Sequence, residues 1–313
     1  MFELISYTLL TQLKITSRPN FNNQNRHHYG DFNEYFGAWH LPNKTFVHKK
    51  SCFDVTYITN SYGAIDKERN IYGKNRTIVI GDSMVEGFGL EQKNRFSNII
   101  EDELNIPHLN FGTAGHFGST QYKLLYENLA SKFEHSRVLL FITVANDFED
   151  DSYAFGKKIH NNRYRPYLIK SGEEYNLIYT NELKKSFSIF ENLKNFFNNF
   201  THTYHVLKYL KSIITSENIK TANKEVLSNK NVHRYSFYNV YTDEGFDLMK
   251  YNILGIQKLS KKNNAKLSVI LLPYKPDIDI YIENQKQFPK LKKKFKEFSN
   301  NKNIEFIDIL TSL

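Results

Sequence analysis

Three short segments of the chain carry residue types that can act on a carbonyl group. They are residues 81–87 (Gly-Asp-Ser-Met-Val-Glu-Gly), residues 110–118, which contain three glycines, and residues 144–147 (Val-Ala-Asn-Asp). A serine hydroxyl can attack a carbonyl carbon, and a glycine-loop N–H or an asparagine amide can donate to the oxygen that becomes negative. Taken singly, each segment has a simpler structural interpretation as a tight turn or a helix cap.

The elements around these segments alternate in type along the chain. Apolar runs at 76–81, 107–111 and 137–144 lead into the three segments, and such runs are typical of strands buried in a parallel sheet. Because the carboxyl ends of parallel strands share one sheet edge, the three segments are expected to converge there. The other predicted elements are helices at about 94–104, 119–132, 243–262 and 284–299 and strands at 266–272 and 304–309.

Two regions depart from this alternation. Residues 1–72 are predicted to form an N-terminal extension of short strands and loops, with a turn at 60–63 (Asn-Ser-Tyr-Gly). Residues 152–240 are rich in Tyr, Phe and Asn and are predicted to form an insertion that caps the site, with a helical stretch near 182–214. The α/β domain is therefore predicted to span residues 73–313.

In their order and spacing the three segments resemble blocks I, II and III of the SGNH (GDSL-type) hydrolases. The matching patterns are Gly-Asp-Ser-x-x-x-Gly, Asn-x-Gly-x-x-Gly and Gly-x-Asn-Asp, with Val144 where the family usually has glycine. The resemblance covers roughly residues 74–152. It implies a flavodoxin-like, three-layer α/β/α fold with Ser83 as the nucleophile. It also implies that the N–H of Gly115 and the side-chain amide of Asn146 are oxyanion donors.

The resemblance implies hydrolysis of ester bonds, with O-acyl or O-acetyl groups of carbohydrates as the expected substrates and no metal or organic cofactor. The family takes its base from an Asp-x-x-His segment after the last strand, and none occurs in these 313 residues. Without a triad member, catalysis falls to about 10³–10⁴-fold over water. The expectation is an impaired esterase, the product of a truncated or frameshifted gene. The alternative is a non-catalytic relative that binds a glycan or acyl ligand.

Histidines elsewhere in the sequence offer substitutes for the missing base. His116 directly follows the glycine of block II, although a loop histidine that contacts solvent or substrate is the simpler interpretation. His202 and His205 are three residues apart on a predicted helix, a spacing that can bind metal, but no third ligand is evident. No spacing favours His135 or His233, and Asp308 lies within the last strand without a histidine after it.

Composition sets the remaining expectations. With 40% hydrophobic and 15% aromatic residues, the chain can build a sizeable core. The net charge of +9 admits a nucleic-acid binder, but no nucleic-acid motif supports one. The lysines at 290–296 match the solvated face of an amphipathic helix.

No window approaches the ~18 apolar residues of a membrane span, and no signal sequence is evident. The predicted location is the cytoplasm, without a nucleic-acid or membrane partner.

Cys52 is the single cysteine, so an intramolecular disulfide is excluded. It stands at the start of residues 52–59, whose β-favouring residues predict a strand. The simplest interpretation of Cys52 is a buried structural thiol.

Overall fold

A computed structural model describes residues 1–13, 29–49, 53–160, 162–183, 189–222, 238, 241–283 and 290–311. In these ranges the strands are β1 (Tyr29–Asn33), β2 (Gly37–His40), β3 (Thr45–Lys49), β4 (Asp54–Ile58), β5 (Thr77–Ile80), β6 (His108–Asn110), β7 (Arg137–Thr143), β8 (Arg165–Ser171), β9 (Glu174–Thr180), β10 (Lys266–Leu272) and β11 (Glu305–Asp308). The α-helices there are α1 (Phe2–Leu13), α2 (Ser83–Glu86), α3 (Phe96–Leu104), α4 (Ser119–Asn128), α5 (Asp147–Asp150), α6 (Tyr153–Ile159), α7 (Ile189–Phe200), α8 (His202–Ala222), α9 (Asp243–Lys262), α10 (Lys275–Glu283) and α11 (Lys290–Lys302).

A parallel five-stranded sheet forms the centre of the molecule, in the order β11-β10-β7-β5-β6. Its strands coincide with the five apolar runs in the sequence, so the predicted α/β fold with a parallel sheet is confirmed. In register, Ile78 of β5 lies between Leu109 of β6 and Val138 of β7. Since β5 is flanked by β6 and β7, the segments that follow these three strands leave the sheet at adjacent positions of its carboxyl edge.

Both faces of the sheet are covered, and β7 shows how the sequence achieves this. Val138, Leu140 and Ile142 point to one face, where they join a large buried cluster with side chains from α4, α9 and α11. The alternate residues Leu139 and Phe141 point to the other face, where they pack with side chains from α2 and α3. A strand that is apolar on both sides therefore requires helices on both faces, which is the three-layer arrangement predicted.

The N-terminal extension contributes two antiparallel hairpins, β1 with β2 and β3 with β4. Phe36 and Trp39 are buried and belong to the same cluster as the central sheet. The predicted turn at 60–63 is present: Gly63 has a φ of 84°, and its N–H donates to the carbonyl of Asn60. The predicted strand at 52–59 is confirmed as β4, whereas Cys52 lies outside the described residues.

The insertion contains a β-hairpin that the sequence did not predict, ahead of the predicted helical stretch. Residues 165–180 form an antiparallel hairpin of β8 and β9, which turns at Gly172 with a φ of 66°. The predicted helical stretch consists of two helices, α7 and α8. Helix α10 was not predicted, and α11 begins at Lys290, with residues 284–289 outside the described ranges.

The basic cluster at 290–296 lies on α11 as expected for an amphipathic helix. Leu291 and Phe295 are buried against the central core, while the Lys293 side chain is 79% exposed. Lys293 therefore lies on a solvated face, whereas the Lys292 side chain is only 15% exposed and its Nζ is 3.2 Å from Asp308 Oδ2. Across the described residues, no helix combines the length and apolar character that crossing a membrane requires.

Candidate functional site

Ser83 is the first residue of α2, immediately beyond the carboxyl end of β5. Asp82 caps this short helix, because its carboxylate accepts the Met84 N–H at 2.9 Å. Gly81 has no room for a side chain: a Cβ there would meet the Val85 side chain and lie 3.2 Å from the Cβ of Phe141. Close packing between strand and helix therefore sets where the serine stands, and Ser83 is partly exposed.

The glycine-rich segment after β6 is pressed against α2. The amide of Asn110 donates to the Val85 carbonyl at 2.8 Å, and its Oδ1 accepts the Gly112 N–H at 2.8 Å. A Cβ at Gly112 would lie 2.6 Å from the Val85 carbonyl carbon. The Ala114 N–H donates to the Glu86 carboxylate. These contacts hold residues 110–115 directly against the helix that begins with Ser83.

Gly115, the predicted oxyanion donor of this segment, has an internal partner. Its N–H donates to the Thr113 carbonyl at 3.0 Å, and its carbonyl accepts from Arg163 and Arg165, each at 3.4 Å. To serve an oxyanion, the amide must share or exchange its hydrogen bond to Thr113. The oxyanion role of Gly115 therefore stays a prediction and requires a small movement of the loop.

Asn146 stands at the N-cap position of α5, after β7. Its Nδ2 donates to Asp150 at 2.9 Å, and its side chain is close enough to Asp82, the residue before Ser83, to oppose the rise that burial causes in the pKa of that carboxyl. The structure thus brings Asn146 beside the segment that carries Ser83.

The Ser83 hydroxyl makes no hydrogen bond to a described residue, so no general base among these residues is hydrogen-bonded to it.

Buried carboxyl groups surround the Asn146 amide. Burial raises the pKa of Asp150 to about 6, the nearby Arg165 guanidinium opposing the shift. Burial, reinforced by the charge of Asp82, raises the pKa of Asp147 well above its usual range. The Tyr122 hydroxyl donates to Asp147 at 2.9 Å. Asp147 also accepts the Thr143 N–H at 2.9 Å.

Glu86 and His40 form a buried contact between the extension and the site, with His40 Nε2 3.7 Å from Glu86 Oε2. Burial raises the pKa of Glu86 to about 7, although the Ala114 N–H opposes the rise. Burial also lowers the pKa of His40 to about 3, while its Nδ1 contacts the Gly63 carbonyl at 3.1 Å. Neither residue was singled out from the sequence, since they are far apart along the chain.

Glu86→Gln is expected to become more stable relative to the wild type as the pH rises. The folded pKa of Glu86 lies above its usual value, so the wild type loses stability between about pH 4.5 and pH 7. Gln keeps an acceptor for the Ala114 N–H, and His40 is present in both proteins. The difference in unfolding free energy, from urea titrations between pH 4 and 8, should grow from near zero to about 3 kcal/mol. A difference that does not vary with pH would contradict this account.

The remaining candidate histidines have local partners. His202 Nδ1 is 2.9 Å from Glu3 Oε1, and His205 Nε2 is 2.7 Å from the Asn198 carbonyl. His135 Nε2 lies 2.8 Å from the Tyr126 hydroxyl. No metal cluster that includes His202 or His205 occurs within the described part of the chain. His233 lies outside that part, and Asp308 accepts from the Tyr238 hydroxyl at 3.0 Å.

His116 follows Gly115 with a φ of 58°, and its side chain is 60% exposed. Burial lowers its pKa, and the charges of Arg163 and Arg165 lower it further. Its Nδ1 is 3.7 Å from Asp150 Oδ1. His116 therefore lies at the edge of the site beside a carboxylate that also contacts Asn146.

Comparisons with protein-family models and with curated proteins gave no match. Among solved structures, the chain is similar to the crystal structure of a "putative acylhydrolase" from Bacteroides fragilis. The similarity has a TM-score of 0.35 and 13% identity, and it covers 76% of this chain and 69% of that chain. A similarity this low does not indicate which residues of the chain act at the site.

Proposed function

We propose that this chain is an SGNH-type serine hydrolase that acts on ester bonds. Ser83 is the nucleophile, and the oxyanion donors are its own N–H, the N–H of Gly115 and the side-chain amide of Asn146. The tetrahedral oxygen formed by attack on an ester would be stabilised by these donors. We assign no general base, since Ser83 Oγ has no hydrogen-bond partner among the described residues.

The observation that carries this proposal is the packing of three segments at one sheet edge. The segment after β6 is bonded to α2 through the Ala114 N–H and the Glu86 carboxylate, and the Asn146 side chain lies near enough to Asp82 to influence its pKa. The segments that carry the serine, the glycines and the asparagine thus lie at one sheet edge, although nearly thirty residues or more separate them along the chain. The Ser83 side chain takes no part in these contacts, which is compatible with a chemical role.

The substrate class in the proposal is an O-acyl or O-acetyl group on a carbohydrate, and it rests on the resemblance of the three blocks. The aromatic residues of the insertion add little support. Tyr164 and Tyr179 stack on each other, with ring centroids 5.1 Å apart, and their hydroxyls donate to the backbone of Glu34 and Tyr35. These two rings therefore attach the hairpin to the extension and are not free to stack on a sugar.

A fluorophosphonate probe tests the proposal, because such probes react with activated serine hydroxyls. The folded protein is incubated with the probe, digested, and the labelled peptide is identified by mass spectrometry. The expected result is a single label on Ser83, absent when the protein is denatured in urea before the probe is added. Label on another serine, or no label, would overturn the hydrolase proposal, and the latter result favours a protein that binds its ligand without turnover.

A further inference from the structure

Three potential metal ligands converge where the insertion meets the sheet edge: His116, Asp150 and His160. One ligand atom from each lies within 4.8 Å of the others. The two imidazole centroids are 4.4 Å apart, and His116 Nδ1 is 3.7 Å from Asp150 Oδ1. We propose that these three side chains bind a divalent transition-metal ion, best matched by zinc, whose common protein ligands are histidine nitrogen and carboxylate oxygen.

His160 supplies a second, independent observation. It is only 9% exposed, and its Nε2 is buried without a hydrogen-bond partner among the described residues. A buried polar atom without a partner is costly, and folded proteins rarely keep one without a reason. A metal ion at this cluster would give the imidazole the partner that the surrounding protein does not.

The carboxylate in the cluster is oriented for binding. Asn146 Nδ2 donates to Asp150 Oδ2 at 2.9 Å, which leaves Oδ1 on the side of His116. Outer hydrogen bonds of this kind are typical of metal-ligating carboxylates.

Two cations face the cluster: Arg163 is engaged by Asp31, whereas Arg165 pairs with Asp150 itself. Arg163 pairs with Asp31, its Nε 3.0 Å from Oδ1. Arg165 Nη2 donates to the Asp150 carbonyl at 2.6 Å and stands 3.6 Å from Oδ1, beyond hydrogen-bonding distance. Their charges weaken binding but leave the carboxylate oxygen available. The expected affinity is therefore below that of four-ligand structural zinc sites.

The geometry requires a contraction, because the three ligand atoms now lie within 4.8 Å of one another. Zinc bonds of ~2.0–2.1 Å place tetrahedral ligand atoms about 3.3 Å apart. The His116–Asp150 separation of 3.7 Å is already close to this value. Because the His116 side chain is 60% exposed, it can turn toward the ion. The inference goes beyond the proposed hydrolase function and does not depend on it.

Calorimetric titration of the chelator-treated, dialysed full chain with zinc chloride at pH 7.5 tests this site. We expect one ion per chain in the wild type, and in His116→Ala a loss of affinity of more than about 10-fold. His202→Ala is the matched control, since His202 pairs with Glu3, does not belong to this cluster, and its variant should bind zinc as the wild type does. Circular dichroism checks that each variant is folded.

Cobalt substitution provides a readout that is independent of the variants. A cobalt ion held by two imidazoles and a carboxylate should give the visible absorption bands of a four-coordinate site in the wild type, and these should be absent in His116→Ala. No saturable zinc binding, or binding equal in His116→Ala and wild type, would overturn the site. Fluorophosphonate labelling of Ser83 is measured separately, so failure of the metal site and failure of the hydrolase proposal are distinguishable.

Discussion

If a general base not yet assigned completes the site, Ser83→Ala is expected to lower the hydrolysis of p-nitrophenyl acetate by about 10³-fold, whereas without a base the rate is already that of the oxyanion donors and the loss is far smaller. The alanine removes the oxygen that would attack the ester, while the oxyanion donors remain and account for the residual rate. Initial rates at saturating and subsaturating substrate separate kcat from KM. The loss should lie in kcat, since the methyl group leaves the site's shape almost unchanged.

Ser171→Ala is the matched control for this experiment. Ser171 is exposed at the end of β8, in the hairpin of the insertion, and its loss should leave the rate unchanged. The Ser83 hydroxyl makes no hydrogen bond to a described residue, so the Ser83 variant should also keep the wild-type unfolding midpoint. A Ser83→Ala protein that hydrolyses the ester at the wild-type rate would remove Ser83 from the mechanism.

Asp151→Ala is expected to reduce the free energy of unfolding by about 3–5 kcal/mol. The buried Asp151 carboxylate accepts the N–H of Ser119 at 3.0 Å, the N–H of Thr120 at 2.9 Å and the Ser119 hydroxyl. It therefore caps α4 from outside that helix. The Ser119 hydroxyl in turn accepts from the Asn252 amide at 2.9 Å, so the loss would reach α9.

Urea unfolding followed by circular dichroism measures this effect. Asp102→Ala is the control, because the Asp102 side chain is 72% exposed and contacts only Lys67, at 3.6 Å, among the pairs described. That variant should change stability by about 1 kcal/mol or less. If the two aspartate variants unfold at the same urea concentration, the cap contributes little and α4 is stabilised by its apolar face alone.

The outline of the sheet could be predicted because its signals are local. Residues 137–143 are apolar on both faces, which only a covered central strand requires. The helix predicted at 243–262 matches α9, whose start is marked by Thr242 accepting the Gly245 N–H.

The sequence does not predict the hairpin of β8 and β9, because the outer half of its strands is exposed and its apolar residues do not alternate regularly. Helix α10 was missed because Pro276 suggests a loop, yet proline is tolerated in a first helical turn.

In the candidate site, too, some features could be predicted from the sequence and others could not. Ser83, Gly115 and Asn146 could be singled out because their segments follow strand signals and resemble, in order and spacing, three blocks of the SGNH hydrolases. Whether Gly115 offers a free N–H depends on the turn to Thr113, which spacing does not reveal.

The contact of Glu86 with His40 and the approach of His160 to His116 join residues tens of positions apart. Burial and pairing of such groups are properties of the folded chain. Alternation of apolar residues and turn chemistry act between neighbours along the sequence, so they specify strands, helices and the loops that carry the serine and the asparagine. The protonation of the buried carboxyls and the meeting of His116, Asp150 and His160 depend on how distant elements pack, and these were decided only by the tertiary structure.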